Sequence, residues 1–355
     1  MKPRARIKVV PEDFVVEEIP AYAPSGEGEH VYVRFTKRGL TTDAAVRAIA
    51  QAAGANARDA GVAGMKDKHA VTTQTISLLA PRGVSPDVLI DRVTAASLDA
   101  ITVHEAKRHG NKLKPGHLAG NRFTLRVRGI PRADVARVAT ELERVGREGL
   151  PNAYGAQRFG RDGDNADRAR AWLSGQTAAP RDPRLRRLLF SALQSAIFNA
   201  VLDARIQDRT WAVPQKGDLL KRRSSGGLFL CADVQEDRAR AETGEVSPTG
   251  PMVGVKMRSP EDAPGELERA VASRFLGESI DLSQTKSLGE GTRRALRLWV
   301  EDLRVNAGPF EDDGEQEASM RVYFVLPKGA YATTVLGAAV ELEDDERNVR
   351  AERDE

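Results

Sequence analysis

Cysteine occurs once in the 355-residue chain, as Cys231. No intramolecular disulfide can form, and a cysteine-based zinc site is not expected. Histidine is nearly as scarce: His30, His69, His104, His109 and His117 are all there are, and none stands in an H-x-x-x-H or H-E-x-x-H spacing. A zinc centre therefore has no ligand set to rest on. No G-x-x-x-x-G-K-[S/T] loop is present, and no G-x-G-x-x-G opens a helix after a strand, which removes the usual footing for nucleotide or dinucleotide chemistry. No apolar run approaches the roughly 20 residues of a membrane span. The start, MKPRARIKVV, lacks the apolar stretch of a signal peptide. A cytoplasmic protein without membrane contact is expected.

What is present describes an ordinary globular chain, with 41% hydrophobic and 30% charged residues and enough length for two domains. The formal charge of +3 conceals an uneven distribution. The last fifteen residues, ELEDDERNVRAERDE, hold eight acids and three arginines. Without them, 51 basic side chains face 43 acidic ones over residues 1–340, a charge of +8. A basic body suits a polyanionic partner.

Periodicity gives an α+β outline. In VYVRFTK, Val31, Val33 and Phe35 share one face of a predicted strand, with Tyr32, Arg34 and Thr36 on the other. A helix follows, capped by Thr41 or Thr42 and ending at Gly54, with Val46, Ile49 and Ala53 on one side. TTQTISLLAP returns to strand. ADVARVATELERVG is a helix with Val135, Val138, Leu142 and Val145 on one stripe, closing on Gly146. The connector GQTAAPRDPRLRR marks a domain boundary, and LLFSALQSAIFNAVLDARI reads as a strong helix. The chain is then rich in glycine and proline to about residue 300. RVYFVLPKG resumes as a strand and AYATTVLGAAVEL as a helix, so one domain interrupted by an insertion is predicted.

Three segments have the makings of chemistry. Residues 107–128 contain seven lysines or arginines and no acid, including Lys112, Lys114, Arg122 and Arg126. In FTLRVRG the apolar side chains point one way and Arg122, Thr124, Arg126 and Arg128 the other, a face able to meet phosphates; His104, His109 and His117 would support the same basic region. GLPNAYGAQRFGRDGDN offers Tyr154 and Phe159 as ring faces for an unpaired base, with Asn152, Gln157 and Arg158 as hydrogen-bonding groups; an ordinary core-edge turn explains it equally well from local sequence. In AGMKDKHAVTTQ, Asp67 lies between Lys66 and Lys68, with His69 beside them. Flanking lysines favour the ionised carboxylate, able to act as nucleophile or base, although a solvated turn aspartate is the commoner meaning of such a triplet.

DFVVEEIP, SGEGEHVYVRFTKRG, AGMKDKHAVTTQ, LAGNRFTLRVRG, PNAYGAQRFG, SALQSAIFN and LPKGAYATTVL together resemble, in order, the TruD family of pseudouridine synthases, from about Lys8 to Leu336. The resemblance implies isomerisation of uridine to pseudouridine in transfer RNA, typically uridine-13 of the D arm, without metal or organic cofactor. It implies Asp67 as the catalytic aspartate, Asn152 as the asparagine that supports it, and Tyr154 as the base-stacking ring, where the family usually has phenylalanine. Lys8 matches a lysine expected near Asp67 as its basic partner. Attack at C1′, attack at C6 and abstraction of a sugar proton all stay open as the role of Asp67.

The implied fold is a pseudouridine synthase catalytic domain on a mixed, largely antiparallel sheet, with a large inserted α+β domain. Residues 1–177 and 299–340 would form the catalytic domain, 178–298 the insertion, and 341–355 a disordered acidic tail. The expected RNA contacts are Lys66, Lys68, His69, Lys112, Lys114, Arg122, Arg126, Gln157, Arg158 and Phe159. The expected partner is tRNA, bound by a monomer that holds no metal. Two rivals stand beside this reading. A non-catalytic RNA-binding or chaperone protein on the same fold explains the basic face but gives Asp67 and Asn152 no task. A metal-dependent nuclease would draw on clustered acids, for which Asp162 and Asp164 of GRDGDN are the candidates.

Overall fold

The computed structural model describes residues 1–344, so residues 345–355 of the expected acidic tail lie outside the described residues. The chain forms two compact units. The first runs Met1–Arg147 and resumes at Val300; the second is Glu148–Trp299.

The first unit is built on a ten-stranded sheet. Its main path runs Glu301–Asn306, Glu317–Pro327, Leu118–Pro131, Phe14–Pro20, Val71–Leu79, His30–Arg38 and Ile101–His109. Neighbours are antiparallel except Phe14–Pro20 against Val71–Leu79, which is parallel. The sheet is thus mixed and largely antiparallel, as the resemblance implies. Alternation decides its buried face. Val31, Val33 and Phe35 are wholly buried with Ile76 and Leu78 of the adjacent strand. Against them pack Ala45, Val46, Ile49 and Ala53 of α1 (Thr42–Ala53) and Leu89 and Val93 of α2 (Pro86–Ala95). Full burial of each large apolar side chain contributes about 1.5–3 kcal/mol. Thr41 is the N-cap of α1, accepting the amide of Ala44 at 3.2 Å. Further along the sheet Phe123 stacks on Phe324 at 5.3 Å and meets Phe14 edge-on at 6.2 Å.

Two expectations about helix ends are corrected. α3 (Val135–Glu148) continues through Gly146, and the left-handed residue that ends it is Gly149 at φ +70°. Gly146 serves a different need: a Cβ there would stand 3.1 Å from Leu303, so its small size admits the strand packed against the helix. The helix predicted over AYATTVLGAAVEL is only Ala332–Leu336 long. Beyond it Glu341–Asp344, counted with the tail in the sequence reading, form a strand parallel to Arg4–Ile7.

The second unit starts well before the predicted boundary at Ala178. α4 (Asn165–Leu173) and α5 (Pro183–Gln207) share one core, with Ala169 and Leu173 packed among Leu189, Leu193, Ile197 and Val201. The proline-rich connector is therefore a loop between two packed helices. A four-stranded sheet completes the unit: Leu228–Leu230, Leu219–Arg222, Val246–Met252 and Thr292–Ala295. A two-stranded pairing of Leu150–Pro151 with Arg297–Leu298 ties its first residues to its last. Two ion pairs lie inside, Arg205 with Asp218 at 2.9 Å and Arg293 with Glu268 at 2.6 Å.

No helix among the described residues is long and apolar enough to cross a membrane.

Candidate functional site

In the first unit Asp67 stands on the loop that leads into Val71–Leu79, with its side chain 53% exposed. The lysines that flank it in sequence are not its ion-pair partners. Lys66 turns inward to Glu18, 2.7 Å away, and both side chains are buried, at 8% and 2% exposure. Lys68 and His69 are exposed at the surface. A cation paired with Asp67 is Lys8, whose Nζ lies 3.4 Å from Oδ2 and over the ring of Phe14. Lys8 has φ +60°, a conformation that costs a non-glycine residue free energy and tends to persist where function requires it. A half-exposed carboxylate beside a buried ammonium can act as an acceptor, base or nucleophile.

A second cation belongs to this loop and went unnoticed in the sequence. Lys37 is wholly buried, and its Nζ donates to the carbonyl of Leu40 at 2.6 Å and to that of Asp67 at 2.7 Å. Burial pushes its ammonium from an ordinary 10.5 down to about 8; Asp67 opposes that shift and Lys66 adds to it. The signal was available: in the period that buries Val31, Val33 and Phe35, the next inward position is 37. Glu18 follows the same rule after Phe14 and Val16.

The basic face of Leu118–Pro131 is found largely neutralised by the chain's own acids. Arg122 reaches Glu17 at 2.5 Å. Arg126 forks onto Asp312, touches Asp313 and donates to Ser319. Arg128 grips Asp13 and also reaches Asp312. The hydrogen bonds from Arg126 and Arg128 hold the Asp312 carboxyl well below the usual carboxylate range. Guanidiniums paired in this way are not the free row that sequence alternation suggests, because their acids come from positions 13, 17, 312 and 313. Of the lysines on the preceding loop, Lys114 is exposed and Lys112 half-buried. His109 stacks on Tyr22, His117 bonds the Tyr22 hydroxyl at 2.7 Å, and His104 bonds Thr36 at 2.6 Å.

In the second unit Asn152 is buried just after the short strand Leu150–Pro151. Its Nδ2 donates to the carbonyl of Ala295 at 2.8 Å, and its Oδ1 accepts from Arg294 at 2.5 Å. The same guanidinium lies 4.1 Å from the centre of the Tyr154 ring, a cation–π contact. Phe198 meets that ring edge-on at 5.6 Å, and Asn199 bonds both backbone groups of Tyr154 at 2.9 Å. The Tyr154 hydroxyl finds Met252 Sδ at 3.5 Å. Arg158 donates to Ser191 and Ser195 of α5 and lies 5.4 Å from the Tyr154 ring centre. Phe159 is half-buried, and the single turn Ala156–Phe159 also contains Gln157. Arg294, which joins Asn152 to Tyr154, had no local signal, because nothing in its own neighbourhood of sequence refers to residues so far upstream.

Among the described residues no group of three or more His, Cys, Asp or Glu side chains is placed to hold a metal ion.

The sequence model of the tRNA pseudouridine synthase D (TruD) family matches residues 3–173 and 176–338. A tRNA pseudouridine synthase D of Anaeromyxobacter sp. strain Fw109-5 is 45% identical over 332 residues, covering 92% of this chain and 89% of its own. Another, from Geobacter metallireducens, is 38% identical with 93% of each chain covered. A solved structure from Methanosarcina mazei that carries the TruD name superposes with a TM-score of 0.77 over 96% of this chain and 94% of that one; at 22% identity it speaks to the fold.

Proposed function

This chain belongs to the TruD family of tRNA pseudouridine synthases, and from that premise we propose that it isomerises a uridine of tRNA, uridine-13 of the D arm, with Asp67 as the nucleophile. The enzyme is an RNA pseudouridine synthase, an isomerase. In the reaction the N1–C1′ bond breaks, the uracil turns, and C5 bonds to C1′; C5 loses its proton and N1 carries one instead. Product and substrate have the same atoms.

A uridine within a folded arm is out of reach, so it is extruded at a cost of a few kcal/mol and held by stacking. Tyr154 is the proposed platform. Its ring is held by Arg294 and Phe198 and its backbone by Asn199 before any base arrives, which lowers the ordering cost of binding. Asn152 is proposed to support the carboxylate chemistry, and Lys8 to act as the basic partner of Asp67. Lys68, His69 and Lys114 are the proposed phosphate contacts, since their side chains are exposed.

The observation that carries this reading is the half-exposed Asp67 carboxylate, 3.4 Å from a buried ammonium on a strained backbone. Asp67→Asn keeps the shape and removes the charge. We expect tRNA affinity within about twofold of the parent and turnover lowered by at least about 10³, a loss on the scale of removing a nucleophile. Pseudouridine mapping of the reacted tRNA is the measurement; isomerisation at an undiminished rate would sink the assignment.

A further inference from the structure

The His30–Arg38 strand turns Lys37 inward after Val31, Val33 and Phe35, and the side chain is buried completely. Apolar packing needs no charge at that place, and a buried ammonium is costly to keep. Among the described residues Lys37 forms no ion pair; its partners are two main-chain carbonyls, one of them that of Asp67 itself. Thr42 grips the same loop one residue earlier. Its Oγ1 accepts the amide of Lys66 at 2.9 Å and is within 3.5 Å of the Lys66 carbonyl. Beyond Asp67, the amide of Gly39 donates to Ala70 at 3.2 Å. The short segment 37–42 therefore holds the loop at 66, 67 and 70. With its carbonyl pinned from inside, Asp67 keeps only its own side-chain torsions, and Lys8 limits those.

We propose that Lys37 and Thr42 form an internal strap that fixes where the Asp67 carboxylate is presented, Lys37 being a positioning residue for the isomerisation. This rests on Asp67 acting on the uridine. Reacting groups must be placed within a fraction of an ångström, so a loosened loop lowers the chemical step without weakening substrate binding. Burial that pushes the Lys37 ammonium down to about 8 fits a cation retained for geometry at the expense of its own solvation.

The test compares Lys37→Met, Thr42→Val, Thr42→Ser and Asp67→Asn in the full chain, measuring kcat and KM on tRNA, Kd by filter binding, and thermal melting. Lys37→Met is expected to lower kcat at least tenfold with KM and Kd within twofold. Thr42→Val should lower kcat threefold or more, and Thr42→Ser, which keeps the hydroxyl, should restore it. Wild-type kcat in both Lys37→Met and Thr42→Val, with Asp67→Asn inactive, overturns the strap and leaves the nucleophile standing. A fall in kcat matched by an equal weakening of Kd also overturns it, since that marks general damage. Should Lys37→Met fail to fold, the Thr42→Val and Thr42→Ser pair decides by the same criteria. Turnover surviving in Asp67→Asn removes the underlying reading and the strap with it.

Discussion

The Asp67 loop and the Asn152–Tyr154 loop hold their side chains by opposite means. In the first, the cations divide the work. Lys8 meets the carboxylate, Lys37 meets the backbone, and Lys66 leaves for Glu18, so the carboxylate itself stays half exposed. In the second, one guanidinium does both tasks: Arg294 bonds the Asn152 amide and covers the Tyr154 ring, and Asn152 is buried. The carboxylate proposed to react is left open and steadied from beneath. The ring proposed to present a surface is immobilised outright. Lysine's compact ammonium suits the first arrangement and arginine's planar fork the second.

That contrast can be broken at its points of support. The largest effect is expected at the buried pair of the first unit. Glu18→Ala strands Lys66 without its carboxylate, and an uncompensated buried charge costs about 3–5 kcal/mol; chemical denaturation should show a loss of that size. Next comes pH. The Lys37 ammonium has a lower pKa folded than unfolded, so the unfolded chain binds more protons between about 8 and 10.5. Stability should therefore rise with pH across that window, by up to about 3 kcal/mol from this group. The difference between the parent and Lys37→Met in urea midpoints at pH 7.5 and pH 10 isolates it; a constant difference would mean that the amine is not held at that value.

Smaller effects are expected in the second unit and on the surface. Arg294→Met removes a charged hydrogen bond and leaves the Asn152 oxygen short of a donor, about 2 kcal/mol, with turnover reduced about tenfold and the far-UV spectrum unchanged. Unaltered turnover would reduce Arg294 to packing. Lys114→Gln should flatten the salt dependence of tRNA binding by about one unit of log–log slope, as expected of a free lysine on phosphate. Arg126→Gln should move that slope much less, because Asp312 already balances its charge. Equal slopes for the two variants would place the strand face against RNA after all.

Several elements were legible at once. The strand over Val31–Phe35, α1 with its Thr41 cap, and the long α5 stripe follow from spacing and capping chemistry, which act within a few residues. The basic count over residues 107–128 was also correct, yet it misled about geometry, since counting charges along the chain says nothing of acids that fold back from elsewhere. Glu17 and Asp312 supply those acids. The boundary at the proline-rich connector misled for a related reason: Ala169 and Leu189 meet across it in one core.

Spacing and motif order thus sufficed for the fold class and the family, because periodicity, caps and contiguous motifs are local properties of the chain. Which cation meets which acid was settled only on folding. Ion pairs and hydrogen bonds form between atoms that are near in space, and Lys8, Lys37 and Asp67 become neighbours only when separate strands are laid side by side in the sheet.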